Sequence, residues 1–316
     1  MIVKPMNDSL NINIEKTAIK ISIGAGRILS KHFGKIQTVE YKGSGKSDPV
    51  SLADREAQDY IKENIATHFP DHGVLSEEDE DIDRGADPAP DYLWIIDPLD
   101  GTKNFIAGLP IFGCSVGVLY RGTPIAGAIY LPWPEEESGI IIHARKNNGT
   151  FIDGVVLPKL KAGEIDQVYL VTLPGSLRNV FKADYSPRDQ PLNDVRVTGS
   201  IAYELALVAK GVTQYSITTG PKIWDVAAGV ILVKEAGGIV MQRRTDNSLQ
   251  ELFRRPRWEA MESFMPDWRE GETTMGQLRL WGETLISGHA SSVAQIISNF
   301  KINRRKGRFL LPYLKS

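Results

Sequence analysis

An apolar run that ends in two aspartates is the part of this sequence best suited to chemistry. Asp97 and Asp100 follow the run, and two residues separate them. Buried carboxylates cost several kcal/mol unless their charge is matched, and a hard divalent cation with oxygen ligands would match it. The Leu99 carbonyl, held between the two acids, would be a natural further ligand. A solvated acidic turn with an Asp cap is the alternative that this short motif leaves open.

Backbone amides directly after these acids are a second feature of the same segment. Gly101 frees the backbone, and Gly101 and Thr102 both offer N–H groups. Such groups suit a phosphate oxygen if a helix starts there. The segment therefore combines a candidate cation site with a candidate anion site.

A run of acids follows a short apolar strand that we predict at residues 73–75. Acidic runs usually form a solvated face of a protein. The position after a strand changes this interpretation, because it would allow Glu77 or Glu78 to be directed inwards. We assign residues 79–83 to the surface.

Two further acids lie where helices are predicted to begin. Asp225 is in the first turn of a helix that runs to Ala236, where an acid is often only a cap or a partner of the helix dipole. Small residues at 227–229 permit the close approach of a neighbouring backbone or of a ligand. Ser51 or Asp54 would cap an earlier helix, and a cap is locally a sufficient explanation for both.

Hydrophobic periodicity predicts the elements that position these segments. The first half has predicted helices over 11–33 and from near Ser51 or Asp54 to His68, and predicted strands at 92–96, 113–120, 124–131 and 139–144. A turn at 121–123 would join two of these strands as a hairpin. This half is predicted to be helices beside a largely antiparallel sheet.

From about residue 168 the pattern changes to alternating strands and helices, which is typical of an α/β layered half. Predicted strands cover 168–172, 214–218, 239–242 and 284–287, and predicted helices cover 199–210, 223–236 and 289–300. Residues 243–282 are polar and rich in Trp, Met and Arg. We predict that they form a partly helical excursion, and their sequence indicates no function.

The order of these segments resembles a known family. A capped acid and a Glu pair precede WIIDPLDGTKNF at 94–105 and WDVAAGVILVKEAGG at 224–238. This combination resembles the inositol monophosphatase family, within the superfamily of lithium-sensitive, magnesium-dependent phosphatases. Both motifs are long and specific, and the resemblance runs from about residue 11 to residue 299 except for the excursion.

The resemblance implies a fold and a division of the chain. The fold would be α+β, in five layers ordered α/β/α/β/α, of the inositol monophosphatase and fructose-1,6-bisphosphatase type. An N-terminal α+β half (1–160) would carry most of the metal-binding acids, and a C-terminal α/β half (161–316) would contain the excursion. Together the halves would form one compact catalytic unit.

The resemblance also implies ligands for two or three Mg²⁺ ions. The first ion would be held by Glu77, Asp97 and the Leu99 carbonyl, and a third, weaker ion would lie near Glu77. Asp97, Asp100 and Asp225 would hold the second ion. Oxygen ligands suit magnesium, so none of the five histidines is predicted to bind it.

Catalytic roles are implied for residues beside these ligands. Asp54 and Thr102 match the pair that orients and deprotonates the attacking water, and Glu78 would act through a bound water. The Gly101 and Thr102 amides would receive the phosphate. Two cations that clamp a phosphate dianion and lower the pKa of a water require no protein nucleophile.

The residues that contact the substrate are predicted less specifically than the metal ligands. Inositol phosphatases carry a Glu on the strand before the WD motif that bonds the sugar-like ring, and this chain has Thr218 there. Gly199 and Ser200, at the opening of a helix, are further candidate substrate contacts, and Ile201 follows them where those enzymes typically have a smaller residue. The hydroxyl of Ser176 is another candidate contact to the substrate. Loss of an acceptor carboxylate should weaken recognition of vicinal hydroxyls by about 1–3 kcal/mol.

Composition limits the partners. The chain has 316 residues, 37 of them basic and 39 acidic, with a net charge of −2, so no basic field holds nucleic acid non-specifically. No apolar run reaches the ~20 residues that span a bilayer, and the start lacks the layout of a signal peptide. The single cysteine, Cys114, is expected to be a buried packing residue and favours a reducing compartment. We expect a cytoplasmic protein without membrane partners.

Three functional readings remain open. The first is a phosphatase of inositol-1-phosphate or a similar polyol or sugar phosphate. The second is a phosphatase of 3′-phosphoadenosine 5′-phosphate, fructose-1,6-bisphosphate or histidinol phosphate. The third is a regulatory binding protein on the same fold, acting through the excursion. Family members are often dimers, so a homodimer is expected.

Overall fold

The secondary structure was obtained from a computed structural model, which describes residues 8–35, 39–41, 49–79, 86–133, 139–161, 170–175, 194–244 and 257–299. The helices within these ranges are α1 Asp8–His32, α2 Leu52–His68, α3 Thr102–Ile106, α4 Ile201–Ala209, α5 Ile223–Glu235, α6 Met275–Arg279 and α7 Ala290–Asn299. The strands of the first half are β1 Val39–Tyr41, β2 Pro49–Ser51, β3 Gly73–Ser76, β4 Tyr92–Asp100, β5 Gly113–Tyr120, β6 Thr123–Leu131, β7 Ile140–Arg145, β8 Gly149–Ile152 and β9 Val155–Val156. Those of the second half are β10 Leu170–Thr172, β11 Asp194–Arg196, β12 Tyr215–Thr218, β13 Ile239–Arg244, β14 Arg257–Ala260 and β15 Leu285–Gly288.

Two large sheets organise these strands. The first has the order β3-β4-β5-β6-β7-β8-β9, in which only the β3–β4 pair is parallel among the described strands. The second has the order β11-β10-β12-β15-β13-β14. The β11, β10 and β12 strands run parallel to one another, and the other three pairings are antiparallel. The C-terminal sheet is therefore mixed, because β14 and β15 both run against β13.

The helices and sheets form five layers. α1 and α2 cover one face of the first sheet, and α4 and α5 lie between the two sheets. α7 covers the outer face of the second sheet, where Val293 and Ile296 pack against Ile217 and Ile286. This α/β/α/β/α arrangement confirms the predicted fold class. The core between the sheets contains residues from both sides of the predicted boundary at residue 160.

Small residues set the distance between α5 and the first sheet. A Cβ added at Gly117 of β5 would lie 2.8 Å from the backbone nitrogen of Ala228, and one at Gly127 of β6 would lie 2.9 Å from the Cα of Ala228. On another side of the helix, a Cβ at Gly229 would lie 2.4 Å from the Leu205 side chain of α4. The small residues after Asp225 therefore serve close packing of the helix.

The predicted helices and strands of both halves are present, with boundaries shifted by a few residues. The main difference is β4, which continues through Pro98 to Asp100 instead of ending at Ile96. The pairing of β4 with β5 shifts register between Asp97 and Asp100. Proline is tolerated at such irregularities because no ladder hydrogen bond from its nitrogen is needed.

The excursion at 243–282 is partly helical, as predicted, since it contains α6. It also contains β14, which pairs with β13 and which the polar sequence gave no reason to expect. Leu278 and Trp281 are buried at the end of the excursion and contact the core between the sheets. This part of the excursion is thus packed onto the protein.

Cys114 and the five histidines lie outside the acidic segments. Cys114 is fully buried, which raises the pKa of its thiol to about 12. Hydrogen-bonded contacts of the histidines go to protein groups other than the candidate ligands: His32 to Glu56, His68 to Asn64, His72 to Trp94, His143 to Glu15 and His289 to Ser291. In the described part of the chain, no helix has the length and apolar character needed to cross a bilayer.

Candidate metal and phosphate site

β4 carries two acids into the interior at its C-terminal end. Asp97 is 1% exposed and Asp100 is 9% exposed. Asp97 Oδ1 accepts a hydrogen bond of 3.0 Å from the Leu99 amide, which folds the chain between the acids. The alternative of a solvated acidic turn is therefore wrong, because neither carboxylate is on the surface.

Four acids from three segments act on one another electrostatically. Burial, followed by the charges of Glu77, Asp100 and Asp225, raises the pKa of Asp97 well above its usual value. Burial and the charge of Asp225 raise the pKa of Asp100 to about 8. Burial, with a contribution from Glu77, raises the pKa of Asp225 to about 7. Such mutual perturbation requires that β4, the turn after β3 and the start of α5 meet in one place.

In the part of the chain that the structure describes, these aspartates have no ion-pair partner. Among the described residues, no Lys, Arg or His forms an ion pair with Asp97, Asp100 or Asp225. Lys222 is near enough to lower the pKa of Asp225 without forming such a pair. Uncompensated buried carboxylates with only oxygen donors are the ligand set that suits a hard divalent cation.

Backbone and hydroxyl donors orient two of the aspartates. Asp100 Oδ2 accepts hydrogen bonds from Ser200 Oγ at 2.9 Å and from the Ala202 amide, so its other oxygen is the one available to a cation. Asp225 Oδ2 accepts from the Lys222 amide at 2.8 Å. Within the described ranges, no three His, Cys, Asp or Glu side chains are arranged, as they stand, to hold one ion. The cluster therefore fits a cation in donor type and charge, whereas the final ligand geometry would need side-chain rotations.

Asp54 has a structural task and faces the site as well. Its Oδ2 accepts hydrogen bonds from the Ser51 amide, at 2.8 Å, and from the Ser51 hydroxyl, which completes a capping box at the start of α2. Its Oδ1 is 3.3 Å from the Thr102 hydroxyl, which also lies 3.0 Å from the Leu99 carbonyl. Burial raises the pKa of Asp54 to about 6. The capping explanation and the catalytic one are therefore compatible, since each uses a different oxygen.

The Glu pair lies in the turn after β3. The Glu77 amide donates to the Ile96 carbonyl at 3.2 Å, and the charge of Glu78 contributes to the raised pKa of Asp54. Both glutamates are half-buried, and the charge of Glu77 contributes to the raised pKa of Asp97, so Glu77 lies towards the interior acids. Of the residues that the sequence analysis assigned to the surface, 80–83 lie outside the described residues, and the side chain of Asp79 is 23% exposed. It is half-buried because it accepts from the Ser76 amide at 3.1 Å and pairs with Lys62.

The candidate phosphate loop begins with a glycine in the left-handed region of backbone conformation. Gly101 has φ +96°, and a Cβ there would lie 2.9 Å from the Ile111 carbonyl, so only glycine fits. A helix does start at Thr102, which meets the condition stated for the phosphate site, although α3 has only five residues. Asn104, which the sequence analysis did not single out, donates to the carbonyls of Ile111 at 2.7 Å and Thr198 at 2.8 Å.

The predicted substrate contacts divide into three groups. Ser200 caps α4 and donates to Asp100, and Gly199, with φ +81°, lies beside Asn104. Thr218 is 3% exposed at the end of β12, and its hydroxyl has no hydrogen-bond partner among the described residues. Ser176 lies outside the described residues.

Glu204 is a buried acid that the sequence analysis missed. It is 6% exposed on α4, accepts a hydrogen bond from the Thr198 hydroxyl at 2.8 Å, and contributes to the raised pKa of Asp100. Burial raises the pKa of Glu204 itself. A lone acid in an otherwise apolar helix was the available signal.

Comparisons with known proteins give the class of protein that this fold and site define. The chain is 34% identical, over 232 residues, to a fructose-1,6-bisphosphatase/inositol-1-monophosphatase of Aquifex aeolicus, which covers 69% of this chain and 81% of that protein. It is 33% identical, over 239 residues, to the Nus factor SuhB of Escherichia coli, with coverage of 74% and 85%. The inositol monophosphatase structure from Thermotoga maritima matches with a TM-score of 0.64 and 26% identity, over 92% of this chain and 97% of that one. The class is that of the metal-dependent phosphomonoesterases.

A family model narrows this class. The model of the inositol monophosphatase family matches residues 11–272, which is most of the sequence. The chain belongs to the inositol monophosphatase family. The match contains all four interacting acids and ends before Arg279, the last residue of α6.

Proposed function

We propose that this protein hydrolyses the phosphate monoester of a small soluble metabolite, with Mg²⁺ as the metal. The observation that carries the proposal is a cluster of four acids, Glu77, Asp97, Asp100 and Asp225. Burial and the charge of at least one other member raise the pKa of each aspartate in it, and no described Lys, Arg or His forms an ion pair with an aspartate of the cluster. Family membership supports the phosphatase chemistry, and the all-oxygen donor set supports magnesium. We infer that two ions, or three, bind there, with the Leu99 carbonyl as a further ligand.

Each part of the chain has a defined task in this proposal. Magnesium supplies positive charge that lowers the pKa of a water molecule and stabilises charge on the phosphate. Asp54 and Thr102 orient the attacking water, Asp54 accepts its proton, and Glu78 orients further water. The amides of Gly101 and Thr102 hold the phosphate oxygens. Asp54 accepts a proton only when it is ionised, and nearby Mg²⁺ would favour the ionised form over the raised pKa of about 6 that burial gives this side chain.

Inositol-1-phosphate or a similar polyol or sugar phosphate is the proposed substrate. The relatives named inositol-1-monophosphatase and fructose-1,6-bisphosphatase/inositol-1-monophosphatase support this class. Thr218 offers a buried hydroxyl without a protein partner among the described residues, which suits a substrate hydroxyl. If that contact exists, Thr218→Val should raise KM about fivefold or more and leave kcat nearly unchanged, because the change keeps the volume and removes one hydrogen bond.

The experiment that tests the function is a substrate panel with released phosphate as the readout. It contains inositol-1-phosphate, fructose-1,6-bisphosphate, 3′-phosphoadenosine 5′-phosphate and histidinol phosphate, each with Mg²⁺ and with or without Li⁺. We expect hydrolysis that needs Mg²⁺ and that Li⁺ inhibits. Asp97→Asn should reduce turnover more than about a hundredfold, which exceeds the loss typical of residues that only support a ligand. Hydrolysis of none of these substrates would refute the proposal.

Asp153→Asn is the matched control for Asp97→Asn. Asp153 lies in the turn between β8 and β9 with φ +48°, and its Oδ1 accepts from the Ile141 amide at 2.9 Å. Asparagine tolerates this backbone conformation and keeps the acceptor oxygen. The control should retain the turnover of the wild type.

A regulatory binding role on the same fold is the second candidate function. It is favoured by the relatives named Nus factor SuhB, which match this chain as well as several of the named phosphatases do. If binding is the main role, Asp97→Asn would lose any turnover and keep its partner. We also propose that the protein is a cytoplasmic homodimer without nucleic-acid or membrane partners, which size-exclusion chromatography with light scattering and cell fractionation would test.

A further inference from the structure

Arg279 connects the excursion to the turn that carries Glu77. Its Nη1 donates to the Ser76 carbonyl at 2.9 Å, and its Nη2 lies 3.3 Å from the Glu77 carbonyl and 2.7 Å from the Asp79 carbonyl. One guanidinium thus binds three carbonyls of a four-residue segment. The backbone of the turn is fixed around the head group of a residue that is far away in sequence.

The same guanidinium lies over the aromatic ring next to Asp225. The Arg279 Cζ atom is 5.1 Å from the centroid of the Trp224 ring, which is within the range of a cation–π contact. Trp224 is only 7% exposed, and its carbonyl accepts from Ser115 of β5 at 3.3 Å. Arg279 therefore contacts both the Glu77 turn and the first turn of α5, which carry two of the four interacting acids.

The support for Arg279 is itself well anchored. Thr274 and Gln277 form a capping box at the start of α6, and Leu278 is fully buried. Trp281 packs edge-to-face against Phe264 with ring centroids 4.8 Å apart. The Met275 amide also donates to the Asp87 carbonyl at 3.0 Å. Because α6 is held in place by these contacts, Arg279 can fix the position of the backbone carbonyls that it binds.

Arginine is the side chain that this arrangement requires. Its planar head group has five N–H donors in a rigid fork, and it can stack on an aromatic ring while it donates in its plane. Lysine could keep the charge and one or two of the carbonyl contacts, but it lacks the fork that spans the three carbonyls. Methionine would keep much of the apolar stem and lose every donor.

We propose that Arg279 is a positioning residue for cation binding. It fixes the Glu77 turn against the start of α5, so that Glu77 and Asp225 reach the same cations as Asp97. This role rests on the proposed function of the acid cluster, and it lies outside the segment matched by the family model. It also gives the excursion, to which the sequence assigned no function, a task at the site.

The test compares Arg279→Met and Arg279→Lys with the control Arg269→Met in the full-length chain. Arg269 lies on the same excursion, but its side chain is 72% exposed and its ion pair, with Glu272, is on the surface. Binding of Mn²⁺ is measured without substrate by electron paramagnetic resonance, and the Mg²⁺ dependence of turnover is measured separately. Thermal unfolding in EDTA shows whether each variant is folded.

We expect Arg279→Met to bind Mn²⁺ about 10–100 times more weakly than the wild type, the range seen when a group that orients a ligand is removed. The half-saturating Mg²⁺ concentration should rise by a similar factor, and kcat at saturating Mg²⁺ should largely recover. Arg279→Lys should fall between the wild type and the Met variant, and Arg269→Met should match the wild type. If Arg279→Met does not fold, Arg279→Lys supplies the same comparison.

Two negative outcomes are distinguishable. Wild-type Mn²⁺ affinity in both Arg279 variants, or a loss of kcat with unchanged cation affinity, would overturn the positioning role alone. A wild-type protein that binds no Mn²⁺ would overturn the proposed function, and with it this inference.

Discussion

The strongest prediction concerns the stability of the protein in EDTA. Asp100→Asn should make the cation-free protein more stable, although the residue is a proposed ligand. The carboxylate of Asp100 is buried next to Asp225, which raises its pKa to about 8. An asparagine has nearly the same shape, carries no charge, and its oxygen can still accept from Ser200 and Ala202.

The sign follows from proton linkage. Because the pKa of Asp100 is higher in the folded protein than the usual 3.8, the folded state binds the proton more tightly than the unfolded state does. The protonated carboxyl is fully compatible with the fold below about pH 4, and this stability is lost progressively as the pH rises towards 8. Each pH unit within that window corresponds to about 1.4 kcal/mol.

The magnitude is large enough to measure. Between pH 6 and pH 8 the wild type in EDTA should lose at least about 2 kcal/mol of unfolding free energy, because Asp100 and the neighbouring Asp225 both lose their protons in this window. At pH 7 the variant should exceed the wild type by up to about 4 kcal/mol. Added Mg²⁺ should reverse the order, because a cation that binds only the folded state stabilises it, and the variant binds the cation more weakly.

Urea unfolding followed by circular dichroism, at pH 6, 7 and 8, measures these differences. Each protein is examined in EDTA and in excess Mg²⁺, and Asp153→Asn again serves as the control that changes a distant acid. The reasoning would be refuted by an Asp100→Asn variant that is less stable than the wild type in EDTA at pH 8. A wild type whose stability does not change between pH 6 and pH 8 would refute it equally.

Four further predictions concern the base, the helix cap and the packing. The acidic limb of the kcat/KM profile should have its midpoint below about pH 6, because bound Mg²⁺ lowers the pKa of Asp54 from the value of about 6 that burial gives it, and Asp54→Asn should lower kcat at least about a hundredfold at all pH values. Ser51→Ala should cost about 1 kcal/mol of stability in urea unfolding, because the cap of α2 loses its hydroxyl. Gly117→Ala should cost about 1–3 kcal/mol, since the added methyl group would lie 2.8 Å from the Ala228 nitrogen; a neutral effect would contradict the close packing of α5.

The sequence by itself determined the chemistry and the order of the elements. The relevant patterns are local, and each is visible within about ten residues. They are two acids after an apolar strand, a Glu pair after another strand, and an acid in the first turn of a helix. Periodicity located the principal helices and the strands of the first sheet because local burial produces it. The specific motifs then indicated the family, which the comparisons confirm.

The tertiary structure decided which groups meet. Three contacts join distant segments. Asp54 uses one oxygen for the helix cap and the other for Thr102. Ser200 and Ala202 donate to Asp100, and Arg279 contacts the Glu77 turn. The mixed second sheet was also settled only by long-range pairing. Such contacts leave no local signal, because a side chain's residue type and spacing do not specify the partner that folding brings to it.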